Sequence, residues 1–373
     1  MKRGTLILFF YFLFLFRSFG SSSPNLTIAV LTLEPGTDIY TVFGHTAIRI
    51  TDSANHRDEV YNFGTFNFYD PFFFLKFARG DLRYFLSVVN YDDFQQEIIL
   101  ENRTVHEQVL DFTQYEKRLM EERLITCYNS EDRYYTYDFF SDNCATRVKD
   151  YVFNSPGHPV TYDTSVYYGQ TFRQLLYPYI SHNYWLTLGI NLGLGKEADR
   201  IARSEDYMFL PYYIRDILNK TELVISDKIL LQAKGSGRKY KILSWVSPWV
   251  IFSILMLLLY REKTRHYSRK LLALTMGITG VVLLITGIIT VNQAITDNYN
   301  TYWLIPSFVL LLKKNRLTNI LKSGYLLFLT MILLFWNHLP QAMSLTFLPW
   351  IAGVIIVLFV DLDPFKIISP IPS

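Results

Sequence analysis

From residue 244 onward the chain turns apolar, and this turn limits its fold more than any other feature. Apolar runs cover residues 245–260, 271–291, 302–312, 325–339 and 345–360. A helix needs about twenty residues to cross about 30 Å of hydrocarbon. Inside a bilayer the backbone must satisfy its own polar groups, so such runs read as helices. The first two runs have spanning character. The last three are shorter, and 302–312, with Pro306 inside it, is the weakest. The connections alternate in charge. Residues 261–270 and 313–316, with Lys322, are strongly basic, whereas 292–301 and 338–344 contain no Lys or Arg. Basic loops face the cytoplasm. The expected architecture over 243–373 is an all-α bundle of about five transmembrane helices. Its C-terminus is inside, and everything that precedes it is outside the cytoplasm.

The start of the chain points the same way. Lys2 and Arg3, an apolar run at 6–16, and Ser18-Phe19-Gly20 have the pattern of a signal peptide over residues 1–20. The alternative, an uncleaved anchor, leaves the following domain on the same side. Residues 21–242 form that polar domain. The net charge of +3 decides little, since the basic residues cluster at helix ends, where they argue for membrane topology rather than for nucleic acid. Two cysteines, Cys127 and Cys144, support neither a disulfide scaffold nor a thiolate metal cluster. No His-x-x-x-His or Cys-x-x-Cys spacing and no phosphate-binding glycine loop occurs, so neither a metal nor a cofactor is expected.

Within the polar domain, 26–33 and 104–110 read as strands, and 45–51 with 59–63 as a hairpin turning at Asp52-Ser53-Ala54-Asn55. Residues 114–126 carry helical periodicity. The aromatic stretch 66–86, with Pro71 and Gly80, reads as a loop and short helix at the bilayer surface, with ordinary core as the alternative. Residues 155–242 read as mixed and mostly helical. The fold class expected for the domain is α+β.

The chemistry concentrates in two places. Ser141-Asp142-Asn143 are N-cap residue types, and an amphipathic run follows. Cys144 then sits in the first turn of a helix, where the helix dipole favours a thiolate. Upstream, His45 opens a strand after Gly44, a residue that permits close backbone approach. A thiol at a helix start facing a histidine on a strand is what a papain-like nucleophile needs. The third member should fix the imidazole tautomer. Asn62 on the returning strand is the first choice, with Tyr61 and Asp138 behind it. Tyr40, Asn143 and the backbone N–H of Cys144 are the candidate oxyanion or substrate contacts. The plainer alternatives are a Cys127–Cys144 bridge and a structural histidine.

Tyr40-Thr41-Val42-Phe43-Gly44-His45-Thr46-Ala47-Ile48-Arg49-Ile50, Tyr61-Asn62-Phe63-Gly64 and Asp142-Asn143-Cys144-Ala145-Thr146-Arg147 resemble the signature of the Bacteroides-type lipoprotein N-acyltransferase (Lnb) family. The order of histidine before cysteine also resembles circularly permuted papain-like enzymes such as lecithin:retinol acyltransferase, which implies a thiol helix packed on a small antiparallel sheet. The family resemblance implies a membrane-bound enzyme, in the bacterial inner membrane with its catalytic domain in the periplasm. It would move an acyl chain from a phospholipid to the α-amino group of a lipoprotein's lipidated N-terminal cysteine. Cys144 and His45 match the family's cysteine and histidine. Two other classes share these features: a membrane-tethered thiol amidase or peptidase of the cell envelope, and a bridge-stapled binding domain.

Overall fold

The computed structural model describes residues 26–154, 160–234 and 247–362, except 68, 70, 73, 74, 77, 78, 260, 312 and 314. The expected signal peptide and the boundary at 242/243 lie outside the described residues. The N-terminal part is built on one sheet of seven strands: β1 (Leu26–Leu33), β2 (His45–Asp52), β3 (Arg57–Phe66), β4 (Arg83–Asn90), β5 (Val105–Leu110), β6 (Tyr134–Thr136) and β7 (Val224–Leu231). Their order is β6-β4-β3-β2-β1-β5-β7, and every pairing is antiparallel.

Alternation along the central strands sends side chains to two cores. Ile28, Val30, Ile48, Ile50, Tyr61, Phe63 and Leu86 face one core, which also holds side chains of helices α2 (Gln114–Tyr128) and α3 (Cys144–Phe153). Leu31, Leu33, Ala47 and Val60 face the other core, closed by Phe94 and Ile98 of α1 (Tyr91–Glu101). Three more helices, α4 (Phe172–Ile180), α5 (Tyr184–Gly193) and α6 (Pro211–Leu218), complete this part.

Most expected elements are present, with differences at the edges. Residues 83–86, expected in a surface loop, begin β4, where Tyr84 pairs with Tyr135 and Leu86 is buried. Tyr69, Phe72 and Leu75 from the same stretch are exposed. The mostly helical reading of 155–242 missed β7, an edge strand whose only ladder is with β5.

The C-terminal part consists of α7 (Pro248–Leu258), α8 (Glu262–Ile289), α9 (Arg316–Leu334) and α10 (Leu348–Leu362). Three helical segments are long and apolar enough to cross a membrane: 263–289, 316–334 and 345–362. Pro248–Leu258 is apolar but shorter. The 302–312 run is interrupted, as Pro306 lies between single turns at Asn300–Trp303 and Phe308–Leu311.

Helix α8 has 28 residues, a length of about 42 Å at 1.5 Å per residue. Its basic end and its far end meet different surroundings. The loops without Lys or Arg dock on the sheet-bearing part. Val291 N–H donates to Arg79 O at 2.7 Å, and Asn298 Nδ2 donates to Leu192 O at 2.6 Å. Gln341 Nε2 donates to Leu194 O at 3.1 Å, and Ala342 N–H donates to Asp199 at 3.1 Å. This docking fits the orientation read from loop charge.

At the basic end, Arg269 and Lys322 share Asp361, with N···O distances of 2.5 and 3.1 Å. Lys322 and Asp361 are buried, and the group ties α8, α9 and α10 together. Removing the one acid leaves two cations unpaired in a low-dielectric interior. Asp361→Ala is therefore expected to destabilise the protein by about 3–5 kcal/mol. Thermal unfolding in detergent measures this, and an unchanged transition would mean the triad contributes nothing.

Candidate active site

The turn before Cys144 is held from several sides. Asp138 accepts the N–H groups of Phe140 and Ser141 at 3.1 and 2.9 Å, and Arg147 grips Asp142 with two nitrogens at 2.5 and 2.7 Å. Asn143 is the N-cap of α3. Its Oδ1 accepts from the backbone of Ala145 and Thr146 at 2.8 and 3.1 Å, while Thr146 Oγ1 accepts the Asn143 N–H. Its Nδ2 donates to Phe139 O and Phe209 O at 2.8 and 3.1 Å. Both amide hydrogens are thus committed, so Asn143 has no donor left for an oxyanion. Its role here is to fix the start of the helix, and that places Cys144 at the first helical position.

His45 is positioned by the strand it opens. It pairs with Leu33 across β1, and Gly44 before it has φ +80°. A Cβ on Gly44 would stand 2.7 Å from Leu33 O, so a side chain there would displace the strand entry. On the other side of β2, the ladder to β3 begins only at Ile48↔Tyr61. Strand β3 then shifts register between Asn62 and Thr65, around Gly64 at φ +98°. This bulge lies in the ladder to β4, while the ladder to β2 has already ended at Tyr61. Asn62 lies just beyond the end of the β2 ladder, and its Oδ1 is 2.6 Å from His45 Nε2. A carbonyl oxygen can only accept, so Nε2–H is the donor and the neutral imidazole keeps its lone pair on Nδ1.

Cys144 lies beside the same residues. The backbone N–H groups of Thr46, Ala145 and Cys144 itself lie near enough to Cys144 to pull its thiol down. The Cys144 Cβ and the His45 Cε1 each lie 3.5 Å from the point where a Cβ on Gly64 would stand, which puts nucleophile and imidazole on two sides of one small space.

The electrostatics differ from the expectation of a lowered thiol. Burial pushes the Cys144 thiol up to about 11, against the pull of the surrounding N–H groups and of Arg103. Burial, then the Arg103 charge, takes His45 down to about 4, against its bond to Asn62. Desolvation outweighs the helix dipole. At neutral pH the resting pair is a thiol beside a neutral imidazole. Such a pair fits general-base attack, in which the proton leaves sulfur as the carbon–sulfur bond forms.

Aromatic rings wall the site. Tyr84 stacks on Tyr137 at 4.6 Å and lies 5.1 Å from Phe66. Burial and the nearby Cys144 push Tyr84 up to about 12, so it stays a neutral hydroxyl. Phe43 meets Phe139 at 5.0 Å.

Of the residues singled out from sequence, the structure brings together Cys144, His45 and Asn62. Tyr61 packs in the core, and Asp138 is used by its own turn. The hydroxyl of Tyr40, more than half exposed, already bonds Asp38. Cys127 and Cys144 are both free thiols, and Cys127 donates to Asp132 O at 3.5 Å, which removes the bridge reading. Arg103 was missed. It is buried at the sheet's end, bonded to Glu34 O and Glu101 at 2.9 and 2.8 Å, and no local sequence pattern marks it.

Residues 20–167 match the family model described as the Lnb N-terminal periplasmic domain, a span that contains His45, Asn62 and Cys144. No curated protein and no solved structure matches the chain.

Proposed function

From a chain that belongs to the Lnb family through its N-terminal periplasmic domain, we propose a membrane-bound lipoprotein N-acyltransferase working by a Cys–His thiol mechanism. The observation that carries this reading is the His45–Asn62 bond beside a thiol at a helix start. In the first half-reaction the Cys144 sulfur attacks a phospholipid ester carbonyl, and its proton passes to His45 Nδ1. The carbon–oxygen bond breaks, the proton moves to the departing alkoxide, and lysophospholipid leaves a thioester on Cys144. In the second, the neutral α-amino group of a diacylated lipoprotein's N-terminal cysteine attacks the thioester. His45 takes the amine's proton and returns it to the sulfur as the amide forms.

Several features support this assignment. The strand-then-thiol order over an antiparallel sheet suits a permuted papain-like domain. The aromatic walls exclude water, which competes with the amine. The apolar helices hold the domain on the membrane where both substrates are anchored, so encounter is confined to a surface. We place the protein in the inner membrane with five spans, counting α7 and the run broken at Pro306. No metal or cofactor enters the scheme.

Mass spectrometry of a lipoprotein N-terminal peptide, from cells with and without this protein, tests the assignment. The expected result is a triacylated peptide with it and a diacylated one without. Unchanged acylation would overturn the assignment, and peptide cleavage in its place would mark a thiol amidase.

A further inference from the structure

Gly64 stands where three constraints meet. Its backbone has φ +98°, it lies in the bulge of β3 against β4, and its bare side faces both Cys144 and His45. Among the described residues, its chain neighbours aside, a Cβ built there meets two atoms within 4 Å, the Cys144 Cβ and the His45 Cε1, each at 3.5 Å. Those are ordinary contact distances, so the protein itself has room for a methyl group. Gly80 and Gly195 differ: there a Cβ would stand 2.8 and 1.9 Å from atoms of the docking loops. The space over Gly64 is therefore a notch lined by Cys144 and His45.

An ester carbonyl has to occupy such a place to be attacked. The reacting atoms must approach to about 3–3.5 Å, with the base in reach of the sulfur's proton. We propose that the bare face of Gly64 is the floor of the acyl-carbonyl site. The scissile carbonyl seats in the notch, against the Cα hydrogens, with its oxygen turned toward the Thr46 and Cys144 N–H groups, which lie near the sulfur. As the carbon–sulfur bond forms, the carbonyl π pair moves to that oxygen, and these amides donate to the oxyanion. The thiol proton goes to His45. The same notch holds the thioester carbonyl when the amine attacks. This inference rests on the acyl-thioester reading and assigns to one backbone position the contact with the group transferred.

Two probes separate a blocked carbonyl site from a damaged dyad. p-Nitrophenyl hexanoate acylates the sulfur and releases p-nitrophenolate as a burst, whereas methyl methanethiosulfonate modifies sulfur without any carbonyl. For full-length Gly64→Ala in detergent, the burst rate should fall by about 10²-fold. Modification of Cys144 by the thiosulfonate should stay within about threefold, since the sulfur keeps its surroundings. Gly64→Asn, the residue type that enters left-handed backbone with least strain, should lose the burst at least as fully. It serves if the alanine variant fails to fold. An undiminished burst in either folded variant would overturn the proposal. So would equal losses toward both probes, the pattern of a displaced dyad. Absence of a burst in the wild-type protein would instead overturn the acyl-thioester reading itself.

Discussion

Cys144→Ser is expected to abolish acyl-enzyme formation, with a loss of at least about 10⁴-fold, while the protein inserts and folds as before. The hydroxyl has the same shape but a far higher intrinsic pKa. The burial that pushes the thiol up to about 11 acts on serine as well, and the neutral imidazole is too weak a base to compensate. The fold should tolerate the change because Asn143, not Cys144, caps α3. The measurement is capture of a labelled acyl chain on the protein, beside the lipoprotein peptide mass. Cys127→Ser is the matched control. That thiol is buried on α2 and bonds Asp132 O, away from His45, so activity should remain within about threefold. Equal losses from the two substitutions would remove Cys144 from its special position.

His45→Ala should cost about 10²–10⁴-fold in acylation, the usual worth of a positioned base. The pH dependence makes the case specific. His45 works as a base only when neutral, and its environment holds it at about 4 rather than 6.5. Acylation by a soluble ester should therefore stay level as pH falls through 6.5 and drop only near 4, and the drop should vanish in His45→Ala. Overall transfer should decline much earlier, below about 8, because the acceptor α-amino group must be neutral to attack. Two acid limbs several pH units apart, one for each half-reaction, are the expected signature. An acylation limb at 6.5 would show an exposed, ordinary histidine.

How much of this was legible beforehand depended on whether the information was local. Strand β1 was readable in full because Leu26–Leu33 is a run of strand formers stopped by Glu34-Pro35-Gly36. The start of α3 was readable because a cap is a matter of a few adjacent residues. Asn62 could be placed near His45 because the hairpin turn sets the register. Extending the ladder from Ile48↔Tyr61 puts Gly64 opposite His45, however, and it is Asn62 that bonds His45, because that ladder has ended. Strand β4 was hidden because Arg83–Asn90 continues an aromatic stretch. Its strand character comes from pairing with β3 and β6. Strand β7 has mostly exposed side chains, so it lacks an alternating pattern, and its partner β5 is over a hundred residues away. The direction of the thiol shift failed for the same reason. The helix dipole is encoded by neighbours in sequence, but the desolvation that overrides it comes from the whole fold.

The amide side chains and main-chain groups of the loops after α8 and α9 grip the sheet-bearing part at several separated points. The spanning helices thus serve as a plinth rather than a leash. Such docking would fix the height of the Cys144 sulfur relative to the apolar helices, and on the proposed function a substrate would have to climb to that level. On the proposed function, the length of a lipoprotein's unfolded stem would then decide which clients can present their first residue to the thioester.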